Sequence, residues 1–275
     1  KVLITGGGGM IGRSLINQLI DKECKIYVAD LTTPTDLPEG VEHLQVDLRF
    51  FDNCLDICKG MNYVFHLAGV KGSPQMAKEQ PVDFMVPMLQ FNTNMIQASF
   101  EAKVDWFLYT SSVGVYSPAD VFFEHSVWST FPSPNDKYAG WAKRMGELQT
   151  ETYKIQYDFD RFSIVRPANV FGSYDNFNPE NSHLIPGLLH RFHNNKGNGE
   201  QMVAYGSGKP LRQMLYASDF AKIIYQTLFD TSINGQTIIC CNDEEFVYQL
   251  DIDYSVNTSF KDVLPNISLL SAGHF

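Results

Sequence analysis

The sequence is short of cations and of long apolar runs, and each shortage removes a class of protein. Its 21 lysines and arginines face 31 aspartates and glutamates, a formal net charge of −10 at pH 7. A nucleic-acid binder needs a basic face for the phosphate backbone, so no nucleic-acid partner is expected. No apolar run approaches the roughly 20 residues that span a bilayer, and no membrane association is expected. Cysteine is scarce and odd in number, five in all, so at least one lacks an intramolecular disulfide partner. Cys54 and Cys58 are four apart and Cys240 and Cys241 are adjacent, and neither is a CxxC spacing. Buried free thiols in a reducing compartment follow, and with them a cytoplasmic location. His183, His190 and His193 share helical spacing, but no acid or cysteine joins them at ligand spacing, so no metal site is expected.

What is there suits a globular enzyme. The 275 residues are 44% apolar and 19% charged, enough for one large core or a main domain with a smaller partner. Lys1–Thr5 is a short apolar run ending in four glycines, and apolar residues then recur at Ile11, Leu15, Ile16, Leu19 and Ile20. That is the period of a helix lying on a sheet. Further strands are predicted at 25–29, 41–46, 63–67, 106–110 and 162–166, with helices over 52–60, 81–102, 138–157 and 219–229. Strands alternating with helices predict an α/β fold, a Rossmann-type doubly wound parallel sheet. Asn, Pro, Gly and Ser crowd 172–187 and 194–210, which marks a small C-terminal substrate-binding lobe. The expected division is 1–171 with 211–232 as an NAD-binding domain and 172–210 with 233–275 as the lobe. The last forty residues have weak periodicity and receive no element.

The glycine run is the sharpest signal. Gly6, Gly9 and Gly12 fit G-x-x-G-x-x-G between the first strand and the first helix, with Met10 and Ile11 opening that helix. Glycine allows the tight turn and the approach of backbone to a pyrophosphate, and a helix N-terminus favours the anion. Asp30 ends the second strand eighteen residues after Gly12, where an acid hydrogen-bonds the adenosine ribose and repels a 2′-phosphate. NAD is therefore favoured over NADP, although Arg13 pulls the other way. Asp47 and Leu48 are expected beside the adenine, and Leu67, Ala68 and Gly69 near the pyrophosphate. His66 fits either that site or a satisfied strand end.

The glycine loop, HLAG at 66–69, SSVGVY at 111–116 and RPANVFG at 166–172 together resemble the extended short-chain dehydrogenase/reductases, the NAD-dependent epimerase/dehydratase family. Residues 175–193 and 205–219 are similar to its GDP-L-fucose synthase branch, the 3,5-epimerase-4-reductases of GDP-4-keto-6-deoxymannose. The resemblance covers roughly residues 1–230, and the family's chain normally continues several tens of residues further. It implies a nicotinamide cofactor, a nucleotide-diphosphate sugar substrate with a GDP-sugar favoured, and a homodimer paired through two helices. It also implies that Ser112 binds the reacting sugar oxygen and that Lys143 binds the nicotinamide ribose and lowers a tyrosine's pKa. By the same likeness His183 is an epimerisation acid, Asn94 and Asn169 are substrate-site asparagines, Arg191 and Arg212 hold the diphosphate, and Tyr205 lies at the guanine-ribose end.

Two positions depart from that pattern. The tyrosine expected four residues before Lys143 is Ala139, while Tyr138 lies five before, about 100° round a regular helix from the expected direction. Either the first turn is irregular, loosened by Gly140, and Tyr138 is the proton donor, or that donor is absent. The cysteine that the fucose synthases place two before the tyrosine of Ser-x-x-x-Tyr is Gly114 here. The expectation is thus an NAD-dependent epimerase, reductase or dehydratase acting at the sugar's fourth carbon. A catalytically silent NAD- and nucleotide-sugar-binding protein is the competing reading, and a reductase of a small carbonyl compound a weaker third.

Overall fold

The computed structural model describes residues 1–72, 74–195, 203–205, 211–229, 232, 234–240, 247–249 and 257–259. The chain opens with β1 (Val2–Thr5), α1 (Met10–Leu19), β2 (Ile26–Asp30), β3 (Val41–Gln45), α2 (Phe51–Cys58) and β4 (Tyr63–His66). It continues with α3 (Pro74–Glu79), α4 (Pro81–Glu101), β5 (Trp106–Thr110), α5 (Lys137–Tyr157), β6 (Phe162–Pro167) and β7 (Asn169–Phe171). Then come α6 (Leu184–Asn195), β8 (Val203–Tyr205), β9 (Leu211–Tyr216), α7 (Ala217–Gln226), β10 (Gln236–Cys240), β11 (Val247–Gln249) and β12 (Asn257–Ser259).

Seven strands form one sheet in the order β10-β6-β5-β4-β1-β2-β3, and every neighbouring pair is parallel. Parallel strands need helical crossovers, which cover both faces. Successive residues accordingly feed opposite cores. Leu3, Val64 and Phe107 enter the layer under α2, α4 and α5, while Ile4, Phe65 and Leu108 enter the layer under α1 and α7. This two-sided burial explains why the strands read as apolar runs rather than alternations.

The strand order reverses between β1 and β4, and in open sheets of this kind such a switch point, outside the carboxyl ends of the strands, is where ligands bind. β7, β9 and β11 form a separate three-stranded sheet, and β8 pairs with β12. Two strands lie outside the expected boundaries. Residues 236–240, grouped by composition with the lobe, form β10 and pair with β6 at the edge of the large sheet. β9, expected with the nucleotide-binding domain, pairs with β7 and β11 in the small sheet. Weak local periodicity concealed both, because edge strands and short strands carry little of their own pattern. Cys54, Cys58 and Cys240 are buried and Cys24 is partly so, all as free thiols. Cys241 lies outside the described residues. Among the described residues no helix is long and apolar enough to cross a membrane.

Candidate active site

The glycine loop is a close-packed cradle. Gly6 has φ +71°, and a Cβ there would fall 2.9 Å from the backbone N and Cα of Ala68. A Cβ on Gly12 would fall 2.4 Å from Gly7 Cα and 2.6 Å from the Gly6 oxygen. Backbone cannot give way, so both positions demand glycine. The loop ends at Gly9, which precedes α1 without any side-chain cap, leaving the first N–H groups of Met10 and Ile11's turn uncapped at the switch point. An anion satisfies such groups, and a dinucleotide's pyrophosphate fits this cradle.

Asp30 stands at the end of β2, and its Oδ2 accepts the Gly8 N–H at 2.9 Å. Burial raises its pKa, against the lowering effects of that bond, of His43 and of Arg13. Arg13 points elsewhere than a nucleotide phosphate. Its Nε donates to the Gly8 oxygen at 2.9 Å, Nη1 to the Asp36 oxygen at 3.1 Å, and Nη2 to the Thr35 oxygen. Asp47 is clamped by Arg49, with Nη2 to Oδ2 at 2.6 Å, and that hydrogen-bonded pairing lowers its pKa. Leu48 is buried, and its carbonyl accepts the Asn94 Nδ2 at 3.0 Å. Asn94, a substrate-site asparagine by the resemblance, thus braces the loop that follows β3.

His66 is structural. It is fully buried, with Nε2 3.0 Å from Asn92 Oδ1 and Nδ1 2.8 Å from Thr5 Oγ1. An amide oxygen only accepts, so Nε2 carries the proton and Nδ1 accepts from Thr5. The Thr5 hydroxyl oxygen accepts the Ala68 N–H at 3.3 Å. Burial, aided by Lys143, pushes the pKa of His66 down to about 3, so the ring is neutral. This chain of bonds fixes the Leu67–Gly69 segment against the cradle.

Lys143 projects from the second turn of α5 to the end of β5, where Nζ donates to the Thr110 oxygen at 2.7 Å. Desolvation lowers its pKa to about 8, opposed by Glu147 one helical turn on. Tyr109 donates to the Lys143 carbonyl at 3.1 Å, and Gly146 makes room for that phenol: a Cβ there would lie 2.2 Å from it. Thr110 Oγ1 and Ser111 Oγ beside it are buried with no partner among the described residues. Ser112 Oγ accepts the Gly114 N–H at 3.0 Å and caps the turn Val113–Val115. Its own hydroxyl proton remains available.

Behind this wall lies a buried ionic network that sequence reasoning missed. Arg166 and Glu147, 1% and 2% exposed, pair through two bonds of 2.9 Å and 2.6 Å. Arg166 Nη1 also donates to the Tyr116 hydroxyl at 2.6 Å and the Glu124 carbonyl at 2.7 Å. Arg144 donates to the Val115 oxygen through Nε and Nη2 and to the Thr130 oxygen through Nη1. Tyr116, the tyrosine of the Ser-x-x-x-Tyr segment, is thus a strut. The only sequence hint was charge inside otherwise apolar segments.

Tyr138 does not join Lys143. The helix runs regularly from Lys137, so a spacing of five holds the two side chains on different faces. Gly140 supplies contact, not looseness: a Cβ there would lie 2.7 Å from the Gly114 oxygen. The Tyr138 ring is exposed, has Lys137 Nζ 5.4 Å from its centroid, and borders a cleft with Ala77, Lys78 and Asp136. The residue the structure brings to the site instead is Asp136. It went unnoticed because the helix was expected to start one residue later, although Asp just before a helix is a familiar N-cap signal.

On the lobe side, His183 immediately precedes α6, and Asp136, Asp175 and Lys71 act on it electrostatically; burial lowers its pKa. Asp175 is itself buried, with Lys71 at 3.7 Å and Oδ2 without a hydrogen-bond partner. Asn169 Nδ2 donates to the Gln213 oxygen at 3.0 Å, and Arg191 Nε to the Gly187 oxygen at 3.3 Å. Arg212 is exposed on β9, within electrostatic range of Asp136. His190 bonds Asn194 at 2.7 Å, turned to its own helix. Tyr205 falls on β8, and its side chain lies outside the described residues.

A strand-order switch point, a glycine cradle at a helix N-terminus and a partly buried lysine on the helix after the fifth strand define a dinucleotide-binding protein of the extended short-chain dehydrogenase/reductase type. Residues 2–239 match the NAD dependent epimerase/dehydratase family, and the chain belongs to it. GDP-L-fucose synthase 1 of Arabidopsis thaliana is 30% identical over 226 residues, 80% of this chain and 66% of that protein. GDP-L-colitose synthase of Yersinia pseudotuberculosis is 26% identical over 237 residues, 83% of this chain and 70% of that protein. The structure of a GDP-L-fucose synthetase from Naegleria fowleri superposes with a TM-score of 0.76 at 25% identity, over 99% of this chain and 77% of that one. The chain spans about two thirds of the length of the first of these relatives, 66%.

Proposed function

We propose that the protein is an NAD-dependent enzyme acting on a nucleotide-diphosphate sugar, a GDP-sugar favoured, with its chemistry at the sugar's fourth carbon. The observation that carries this reading is Lys143, a partly buried cation on α5 whose Nζ is held 2.7 Å from the Thr110 oxygen at the end of β5, two residues before Ser112. A lysine held there at a depressed pKa can bind ribose hydroxyls and steady proton transfer. Bound at the switch point, the nicotinamide exchanges a hydride with the sugar, while the chain's own residues position the sugar and move its proton. Ser112 orients the reacting oxygen, and Arg191 and Arg212 offer guanidinium groups to the diphosphate. Fucose and colitose synthases among the relatives act on GDP-sugars by name, which supports the base preference.

NAD is preferred over NADP on two observations. Asp30 places a carboxylate where a 2′-phosphate would sit, and the three donating nitrogens of Arg13 are directed to backbone oxygens. A homodimer paired through α4 and α5 belongs to this reading. Val86 on α4 and Leu148 and Ile155 on α5 leave apolar side chains exposed there.

The test is incubation of the protein with NAD and a panel of GDP-, UDP-, CDP- and dTDP-sugars, following nicotinamide absorbance and resolving products by mass spectrometry and NMR. A converted sugar bears the reading out; absence of sugar binding across the panel refutes it. The silent-binder reading rests on Ala139, which leaves no phenol four residues before Lys143. Tight binding without turnover is its signature.

A further inference from the structure

One segment touches the loops on both sides of the switch point. Residues 172–183 run from the end of β7 to the start of α6, and they begin against the first turn of α1. A Cβ on Gly172 would fall 3.5 Å from the Met10 sulfur. One turn further along α1, the guanidinium carbon of Arg13 lies 5.2 Å from the centre of the Tyr174 ring. A cation over an aromatic face is drawn to the ring's quadrupole. The same guanidinium is tied to the Gly8, Thr35 and Asp36 oxygens, so it is held at the cradle. The next residue, Asp175, meets the loop that follows β4, with Oδ1 3.7 Å from Lys71 Nζ. Two adjacent residues thus grip the loops after β1 and β4, the strands that flank the switch point.

The grip carries forward. The Asp175 side chain is 1% exposed and its Oδ2 has no hydrogen-bond partner among the described residues, so the carboxylate depends on the cation beside it. Beyond it the segment is stitched to itself. The Asn176 N–H donates to Asp175 Oδ1 at 2.8 Å, the Asn178 N–H to Asn176 Oδ1 at 3.0 Å, and Asn176 Nδ2 to Asn181 Oδ1 at 2.6 Å. The Ser182 N–H donates to the Asn178 oxygen at 2.8 Å. A Cβ on Gly187, in the first turn of α6, would lie 2.7 Å from Ser182 Oγ, so the helix sits directly on the end of the segment. Whatever fixes Tyr174 and Asp175 therefore fixes where α6 begins, and α6 carries Arg191.

We infer that Arg13, Tyr174, Lys71 and Asp175 are positioning residues that couple the two halves of the site, so that a dinucleotide in the cradle tightens the binding of the nucleotide sugar. This rests on the function proposed above. A pyrophosphate at the N-terminus of α1 orders its first turn, and that order passes through Arg13 to Tyr174. The entropy cost of ordering the segment falls on the first ligand, and the second binds without it. Such coupling is reciprocal: the nucleotide sugar tightens the dinucleotide by the same factor.

The test is calorimetric titration of the full chain with GDP-mannose, or with the other panel sugars if it does not bind, in the presence and absence of saturating NAD. The converse titration, NAD with and without the sugar, checks reciprocity. In wild type each ligand tightens the other by one common factor, about 5–150-fold. Tyr174→Phe keeps the ring and the factor. Tyr174→Leu lowers the factor about two- to fivefold, the scale of one exposed cation–π contact, while NAD affinity measured alone stays as in wild type. Lys71→Met lowers it likewise, and Lys71→Arg restores it. Hydrogen exchange is the second readout: NAD alone slows the Asp175 and Ser182 amides in wild type and not in Tyr174→Leu. A purely structural loss moves the melting temperature and both affinities, not their ratio. Independent binding of the two ligands in wild type, or a wild-type factor in both Tyr174→Leu and Lys71→Met, overturns the inference and leaves the broader reading standing. Failure of every nucleotide sugar in the panel to bind overturns both.

Discussion

Glu147→Gln keeps the volume of the side chain and removes its charge, so it isolates what the buried pair does. In the native chain Arg166 has acceptors on all sides: two carboxylate oxygens of Glu147, the Tyr116 hydroxyl and the Glu124 carbonyl. With glutamine, one of its two Glu147 bonds faces an amide N–H₂, and a cation that is 1% exposed has no counter-charge. Breaking one side of a buried pair costs about 3–5 kcal/mol. At about 2–4 °C per kcal/mol for chains approaching this size, the melting temperature should fall by roughly 6–20 °C. Scanning calorimetry measures it, and urea titration separates a stability change from loss of cooperativity. A second consequence concerns Lys143. Glu147 opposes the desolvation that brings its pKa to about 8, so removing the charge should lower that pKa further. The pH dependence of its acylation by an amine-reactive reagent reports this. A melting shift under about 2 °C, with the lysine's titration unchanged, would show that the network is not the support of the catalytic wall.

The other predictions concern the cradle, the lysine and the cofactor. Gly12→Ala forces a Cβ to 2.4 Å from Gly7 Cα, so stability should drop by about 1–3 kcal/mol and NAD affinity at least tenfold; calorimetric titration with normal affinity refutes the cradle. For Lys143, with a folded pKa of about 8 against 10.5, the unfolded chain binds more protons between those values, so stability rises with pH across that window. Lys143→Met should therefore be more stable than wild type at pH 7, by at most about 3 kcal/mol, with the difference vanishing near pH 10.5. Equal stability at pH 7 in urea titrations contradicts the burial argument. Asp30→Ala should weaken NAD more than NADP in fluorescence titrations; equal losses would remove Asp30 from the specificity argument.

The nucleotide half of the site was legible because its chemistry is local. A strand, a glycine turn, a helix and an acid at the next strand end are contiguous, and Gly6, Gly9, Gly12 and Asp30 stand where their spacing predicted. The substrate half depends on approach through space. Nothing in SSVGVY announces that Gly114 is empty so that Asp136, more than twenty residues later, can stand over it. Asn94 shows the same limit: its helix was read correctly, but which loop its amide meets is a matter of tertiary packing. The ties of Arg144, Glu147 and Arg166 could not be read from the sequence, because their partners, including Tyr116 and the Val115 carbonyl, lie on other segments. Tyr138 was placed by helical arithmetic alone, and there the arithmetic held.

The return of the chain at β10 shapes how the protein is born. During synthesis β6 can pair with β5 as soon as Pro167 has emerged, but its outer edge has no partner until Gln236–Cys240 follow. Everything between, including the small sheet's β7 and β9, must leave the ribosome while that apolar edge stands open. An unpaired strand edge is a template for other chains. The nascent protein thus passes through a long interval of vulnerability that closes only when one late, five-residue strand arrives.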